Sequence, residues 1–159
     1  MTDRKTNKGD VTVATNRKAR HQFEILETWE AGLVLLGSEV KSLRAAAITI
    51  GDGYAIDHDG ELWLVNVHIN EYPQANRMNH EPMRRRKLLL HRHELEKILR
   101  EIREKQRTIV PLRFYFKEGR CKVELGLAVG KKLHDKREDL KERDAKREVA
   151  RAHRNRGED

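Results

Sequence analysis

The pattern of apolar and polar positions predicts a mainly β domain followed by a polar tail. Apolar residues alternate with polar ones, or form short continuous runs, in the manner of half-buried and buried strands. Seven such runs lead us to predict about six strands in all, and they cover residues 23–29, 33–36, 48–50, 54–56, 62–69, 109–116 and 121–129. After Leu133 the chain has few apolar residues, so the folded body is expected to end there.

Turns and helices separate the predicted strands. Asp-Gly near the end of 57–60 and Glu-Gly within 117–120 predict β-hairpins. Ser38 is a suitable N-cap for a short helix, and the irregular segment 70–87 contains two prolines. A clear amphipathic helix is predicted where apolar residues recur at i, i+3, i+4 and i+7, namely Leu95, Ile98, Leu99 and Ile102.

Together these elements predict a small closed β-barrel of about six strands with two to three helices. We divide the chain into a basic N-terminal extension at 1–15, the barrel at 16–130 and a C-terminal tail at 131–159. The free tail is expected to be disordered or only partly helical, because it offers little apolar surface to offset the entropy of ordering it.

The charge of the chain points to a polyanionic partner. The 159 residues carry a formal charge of +8, and charged residues make up 38% of the chain. Most of the excess lies at the ends: residues 1–20 contain six basic and two acidic side chains, and 131–159 contain eleven and eight. Such asymmetry is typical of proteins that bind nucleic acid.

Other classes of protein are less well supported by the sequence. No apolar run is long enough for a membrane span and the N-terminus does not resemble a signal peptide, so we expect a soluble cytoplasmic protein. His91 and His93, the single Cys121 and the acidic turn at 57–61 do not form a catalytic or metal-binding set. We therefore predict no enzyme, no cofactor and no metal.

Three basic segments are the candidates for binding nucleic acid: 16–21, 84–87 and the pair Lys131-Lys132. Each taken alone could be a solvated charge run, but together they favour contacts to phosphates. Aromatic residues make up only 5% of the chain, which argues against a general single-strand binder that stacks successive bases. Structured RNA is the better prediction.

Several of these motifs resemble one family. The chain closely resembles small protein B, the transfer-messenger-RNA-binding family of bacteria, in order over about residues 10–145. The motifs that carry the resemblance are Asn16-Arg-Lys-Ala-Arg-His21, Glu30-Ala-Gly32, Glu39-Val-Lys-Ser-Leu-Arg44, Asn79-His-Glu-Pro82, Arg86-Lys-Leu-Leu-Leu-His91 and Gly130-Lys-Lys-Leu-His-Asp-Lys-Arg137.

The resemblance implies a fold and a function. It implies a barrel of the oligonucleotide-binding (OB) type that binds the transfer-RNA-like domain of transfer-messenger RNA. The complex would enter ribosomes stalled on messages without a stop codon, where the nascent chain is tagged for proteolysis. Elongation factor Tu would be an indirect partner, through the charged transfer-messenger RNA.

The resemblance also implies which residues bind RNA. It assigns this role to Asn16 and Glu30, to the basic residues around them, and to the segment that ends at Leu90. Glu30 would accept hydrogen bonds from base amino or imino groups, because a carboxylate repels phosphate. The candidate RNA-binding residues are Asn16, Arg17, Lys18, Arg20, His21, Glu30, Lys41, Arg44, His80, Arg84, Arg85, Arg86, Lys87, Leu90, Lys122, Lys131 and Lys132.

For the tail, the resemblance implies a helix in the empty message channel that replaces codon–anticodon pairing. His134, Asp135, Lys136 and Arg137 would lie near the decoding centre, and Val149 alone occupies a place where family members often carry a bulky apolar pair. Two alternatives stay open on the sequence: a structural protein of the ribosome that binds ribosomal RNA, and an RNA-modifying or RNA-cleaving enzyme.

Overall fold

The computed structural model describes residues 9–131 and 133–155; residues 133–140 and Asn155 are described by their backbone alone. Contacts divide the chain into two units, Met1–Val129 and Gly130–Asp159. Within the described residues the strands are β1 (Val11–Thr15), β2 (Phe23–Leu33), β3 (Ile48–Thr49), β4 (Tyr54–His58), β5 (Glu61–Val65), β6 (His68–Ile69), β7 (Arg86–Leu89), β8 (Thr108–Lys117) and β9 (Arg120–Gly130). The helices are α1 (Arg17–Gln22), α2 (Gly37–Arg44), α3 (Arg92–Lys105) and α4 (Leu133–Asn155), with a 3-10 segment at Pro73–Met78.

The main sheet has seven strands in the order β1-β8-β4-β5-β7-β2-β9. Strand β9 also pairs with β8, so it has hydrogen-bonded neighbours on both sides. Strands β3 and β6 form a separate small antiparallel pair. The prediction of a mainly β fold with several helices is confirmed.

Both predicted hairpins are present. β4 and β5 are joined by Asp59-Gly60, with φ values of 52° and 78°, and β8 and β9 are joined by Glu118-Gly119, with φ values of 51° and 76°. Two consecutive residues with positive φ give a turn whose twist matches that of the flanking strands. The second hairpin fixes the register of β8 and β9, in which Tyr115 lies opposite Lys122.

Several local predictions are wrong. The described residues form nine strands rather than about six, and the single strand predicted at 62–69 is divided into β5 and β6, which lie in different sheets. No separate strand forms at 33–36, because β2 continues through Gly32 to Leu33 and pairs with β7. Ser38 is not a helix N-cap: α2 begins one residue earlier, and the carboxylate of Glu39 accepts a hydrogen bond from the Leu36 N–H at 3.0 Å.

The paired structure begins earlier than predicted. Strand β1 lies inside the segment assigned to a basic extension, and it pairs antiparallel with β8. Helix α1, which the sequence pattern does not reveal, follows directly, and Ala19 is its one buried residue. The predicted boundary at residue 16 therefore falls within hydrogen-bonded structure.

The main apolar core is formed by side chains from the sheet, α2 and α3. Leu43, Leu62, Ile98 and Phe114 are fully buried in it. Burial of apolar surface of this kind is the main source of stability of a small domain. The predicted apolar face of α3 thus packs as expected.

Helix α4 belongs to the second unit. The side chains described for it, at 141–154, are all exposed. No helix in 9–131 or 133–155 combines the length and apolarity that a membrane span requires.

Candidate RNA interface

A cavity of about 290 Å³ opens where β2, β9 and the start of α3 meet. Three of the predicted RNA-binding residues, Glu30, Leu90 and Lys122, lie in its wall. The complete lining is Glu30, Gly32, Leu89, Leu90, His91, Glu94 and Lys122.

Neighbouring strands bring these residues together. β2 pairs with β7 through Gly32 and Leu89, and it has β9 as its other neighbour. A Cβ atom at Gly32 would lie 3.4 Å from the Cβ of Leu89 and 3.7 Å from the ammonium nitrogen of Lys122. The Lys122 ammonium group therefore lies close beside β2 at Gly32, next to the cavity.

The carboxylate of Glu30 is held by two donors from β8. The hydroxyl of Tyr115 donates a hydrogen bond to Oε2, and the Nζ atom of Lys117 lies 3.5 Å from Oε1. Burial would raise the pKa of Glu30, but the Tyr115 hydrogen bond and the charges of Lys117 and Lys122 outweigh it and lower this pKa. Glu30 is thus an ionised acceptor at neutral pH, with 39% of its side chain exposed.

Tyr115 is almost wholly buried, at 3% exposure. The guanidinium of Arg113 lies over its ring, 4.1 Å from the centroid, an arrangement typical of a cation–π contact. Burial and the hydrogen bond to Glu30 raise the pKa of Tyr115, so its hydroxyl stays protonated and can donate.

Glu94, in the first turn of α3, supplies a second carboxylate to the cavity. Its Oε2 atom is buried and has no hydrogen-bond partner among the described residues. Carboxylate acceptors, one lysine donor and the apolar side chains of Leu89 and Leu90 match the mixed polar edge and apolar face of a nucleobase.

The predicted basic residues of α1 form a second cluster. Arg17, Lys18, Arg20 and His21 are all exposed, and Lys18 pairs with Asp52 at 2.7 Å. These side chains are available for contacts to phosphates.

Asn16 differs from the α1 cluster that follows it, because it is 2% exposed. Its side-chain oxygen accepts from the Ala19 N–H at 3.0 Å, and its amide nitrogen donates to the carbonyl of Pro111 at 2.9 Å. The Asn16 side chain therefore caps α1 and ties this helix to β8, and its predicted contact with RNA stays a prediction.

The basic segment 84–87 is also divided by the fold. Arg86 is fully buried and donates to the Glu39 carboxylate at 2.5 Å and to the Val67 carbonyl at 2.7 Å. The guanidinium is thus bonded within the protein, and its predicted contact with RNA stays a prediction. Arg84 also binds Glu39 and keeps 30% of its side chain exposed.

The other two members of this segment remain at the surface. Lys87 pairs with Glu61 at 2.8 Å, with 36% of its side chain exposed. Arg85 is exposed and has no salt-bridge partner within the described residues. Arg85 is thus the member of 84–87 that is most available to a phosphate.

His80, another predicted RNA-binding residue, is also buried, at 3% exposure. Its Nε2–H donates to the Ile69 carbonyl at 2.9 Å, which leaves Nδ1 to accept from the Ser38 hydroxyl at 2.8 Å. These bonds join the segment before β7 to α2 and β6, and they leave no ring nitrogen for RNA.

Lys41 and Arg44 are exposed on α2 and make cation–π contacts. The Lys41 ammonium lies 5.5 Å from the centroid of Tyr72, and the Arg44 guanidinium lies 4.8 Å from that of Phe116. Both residues are exposed to solvent, so they remain candidates for RNA contacts.

The predictions for the tail lie largely outside the described side chains. Lys131 and Val149 are exposed. Lys132 lies outside the described residues, as do the side chains of His134, Asp135, Lys136 and Arg137, whose backbone belongs to α4.

Alternative chemistry finds little support. Burial raises the pKa of the Cys121 thiol to about 12, so it is neutral and a poor nucleophile at physiological pH. His91 and His93 stack with ring centroids 5.8 Å apart. Within 9–131 and the described part of α4, no three His, Cys, Asp or Glu side chains are grouped as metal ligands.

Sequence reasoning missed Tyr115, Lys117 and Glu94. A signal for Tyr115 was available, because a two-residue turn at Glu118-Gly119 fixes the register of its hairpin. Counting back from that turn places Tyr115 opposite Lys122. No comparable signal connects Glu94 to Glu30, since their presence in the same cavity wall depends on how α3 packs.

Comparison with known proteins identifies the family. The family model described as SmpB protein matches residues 13–155. The chain belongs to the SmpB family. An SsrA-binding protein of Desulforudis audaxviator is 58% identical over 141 residues, which cover 89% of this chain and 92% of that protein. An SsrA-binding protein of Mycolicibacterium smegmatis is 53% identical over 151 residues, covering 95% and 94%.

A solved structure of an SmpB-family chain is also similar. It is described as "tmRNA-SmpB: a journey to the center of the bacterial ribosome". The similarity has a TM-score of 0.64 and 51% sequence identity, and it covers 76% of this chain and 85% of that one. The family membership predicted from the sequence motifs is confirmed.

Proposed function

We propose that this protein binds the transfer-RNA-like domain of transfer-messenger RNA and delivers it to stalled ribosomes for trans-translation. The observation that carries the proposal is the cavity that combines Glu30, Leu90 and Lys122 in a chain of the SmpB family. Relatives named SsrA-binding proteins and a structure of tmRNA-SmpB on the ribosome support the same partners.

The sheet would act as a barrel of the OB type. The circuit of pairings β8-β4-β5-β7-β2-β9, with β9 paired again to β8, supports a closed arrangement. Such a barrel would hold α1 and the cavity on a rigid scaffold, so that phosphate contacts and base contacts are made together. Residues 16–130, together with strand β1, which pairs with β8, would form this RNA-binding domain.

In this proposal the two kinds of contact have different roles. Arg17, Arg20 and Arg85 would bind phosphates and supply affinity that depends on salt. Glu30 would accept hydrogen bonds from base amino or imino groups and supply selectivity. The protein would act in the cytoplasm as a binding protein rather than an enzyme, with elongation factor Tu as an indirect partner.

The tail would act on the ribosome. Helix α4 is rich in both charges, and exposed basic side chains such as Arg143, Arg147 and Arg151 recur along it at intervals of four residues. A helix of this composition is suited to ordering along ribosomal RNA. We propose that it occupies the empty message channel, with 134–137 near the decoding centre.

Substitution of Glu30 tests the RNA-binding proposal. Glu30→Gln keeps the shape of the side chain and removes its charge, which is worth about 1.5–3 kcal/mol in a fully engaged hydrogen bond. We expect affinity for transfer-messenger RNA to fall about 10- to 100-fold, with a smaller change for an unrelated structured RNA. Binding of both RNAs would be measured with the full chain.

Glu27→Gln is the matched control. Glu27 lies on the same strand, is 38% exposed and pairs with Lys97 at 2.8 Å, so the two variants lose similar surface charges. Equal losses for both RNAs, or preferential recovery of ribosomal RNA in a sequenced pull-down, would favour the ribosomal structural protein instead.

A further inference from the structure

The hydroxyl of Tyr115 is placed to decide how Glu30 faces RNA. It donates to Oε2 of Glu30 from a nearly fully buried position on β8, and Lys117 approaches Oε1. We infer that Tyr115 is a positioning residue for RNA recognition: its hydroxyl holds the Glu30 carboxylate in the orientation that accepts hydrogen bonds from a base. This inference rests on the proposed RNA-binding role of Glu30.

The surroundings of Tyr115 fix the donor itself. Its ring is buried beneath the guanidinium of Arg113, which in turn lies 3.7 Å from Glu124. The backbone of Tyr115 is paired with Lys122, whose side chain lines the cavity. The hydroxyl therefore has little freedom to leave Glu30, and the bond is formed before RNA arrives.

The preformed hydrogen bond between Tyr115 and Glu30 matters because an exposed glutamate side chain without such a bond adopts several rotamers. Glu30 is 39% exposed, and without a buried donor it would have to be ordered at the moment of binding. Holding it in advance removes this cost from the binding step. Because the Tyr115 hydroxyl already donates to Oε2, hydrogen-bond donors of a base are directed to the remaining lone pairs of the Glu30 carboxylate.

The test is a double-mutant cycle on the full-length chain. Tyr115→Phe keeps the buried ring and removes only the hydroxyl. We expect this variant to bind the transfer-RNA-like domain about 5- to 20-fold more weakly, since Glu30 is present but no longer preorganised. In combination with Glu30→Gln, the Tyr115→Phe change is expected to add less than about a further twofold loss, because the charged carboxylate that Tyr115 positions is absent.

Tyr54→Phe is the matched control, since Tyr54 is 43% exposed on β4 and does not line the cavity. Its affinity is expected to equal that of the unmodified protein. Thermal melting of Tyr115→Phe checks that the barrel remains folded at the binding temperature.

The pH dependence of RNA binding is a second measurement. It would not change on Tyr115→Phe if Tyr115 had a purely structural role. Loss of the hydroxyl removes one interaction that lowers the pKa of Glu30, so the acid limb of the binding profile should shift to higher pH. The other titratable or charged groups near this network are His91, Glu94, Arg113, Lys117, Lys122 and Glu124. They are unchanged in the variant, so its profile is compared directly with that of the unmodified protein.

The outcomes separate this inference from the proposed function. Full additivity of the two substitutions, or an acid limb that does not move, would overturn the role of Tyr115 while leaving Glu30 as an RNA ligand. If Glu30→Gln alone has no effect on binding, the proposed site itself is wrong.

Discussion

Single residues in this protein divide sharply between surface recognition and internal support. Asn16 and Glu30 belong to motifs with the same family resemblance, yet Asn16 is 2% exposed and caps α1, whereas Glu30 lines an open cavity. Substitutions at both positions could weaken RNA binding, but by different routes. A substitution of Asn16 would act indirectly, because Asn16 caps α1 and so positions the basic residues of that helix.

The clearest internal support is the ion pair of Glu39 with Arg86, both fully buried. Removing one member of such a pair leaves an uncompensated buried charge. We expect Glu39→Gln to lower the free energy of unfolding by about 3–5 kcal/mol, measured by denaturant titration. Glu61→Gln, which breaks the more exposed pair with Lys87, should cost less than about 1 kcal/mol; equal losses would contradict the special role of the buried pair.

The same pair gives the fold a pH dependence of known sign. Burial would raise the pKa of Glu39, but the Leu36 N–H and the guanidiniums of Arg84 and Arg86 lower it below 4.5. A carboxyl whose pKa is lower in the folded state stabilises the fold above its unfolded pKa. This contribution should be lost as pH falls from about 4.5 through the lower folded pKa, and the loss should be absent in Glu39→Gln.

At the scale of elements, strand β7 places neighbouring basic residues of the segment 84–87 in different environments. β7 begins at Arg86, and its alternation buries Arg86 and Leu88 while Lys87 and Leu89 face outward. A run that looks uniform in sequence therefore contributes one unpaired cation, Arg85, within the described residues.

This distribution predicts a specific effect of salt. If Arg85 binds a phosphate, Arg85→Gln should reduce the slope of log affinity against log salt concentration by about 0.7–0.9. The slope would be obtained from binding curves at several ionic strengths. Arg100→Gln, at an exposed site on α3, serves as the control and should leave the slope unchanged. The same slope for Arg85→Gln as for the unmodified protein would remove this segment from the RNA footprint.

At the scale of the whole molecule, two units with different compositions suggest two tasks. The first contains the sheet, the core and the cavity, and the second contains α4, whose described side chains are all exposed. We therefore expect that truncation separates RNA capture from action on the ribosome.

We expect deletion of 131–159 to leave affinity for transfer-messenger RNA within a few fold, because the cavity and α1 remain. Tagging of nascent chains on stalled ribosomes should be abolished, as measured in a reconstituted translation reaction. Lys136→Ala with Arg137→Ala should reproduce part of this defect in the full-length chain. A truncated protein that still supports tagging, or that loses RNA binding to the same extent, would contradict the proposed role of the tail.

The sequence alone determined the strand-rich body, the amphipathic α3, both hairpins and the family. These depend on local spacing: apolar periodicity, turn residues at hairpin ends and contiguous motifs are all read along the chain. It also marked Glu30, Leu90 and Lys122, which the structure brings to one cavity.

Which polar side chains are internal, and which groups hold Glu30, depends on contacts between segments that are distant in sequence. Burial of Asn16, His80 and Arg86 depends on carbonyls and carboxylates from distant segments, such as Pro111 for Asn16 and Glu39 for Arg86. The contact between Tyr115 and Glu30 spans 85 positions. Such contacts arise from strand order and packing, which local periodicity does not encode.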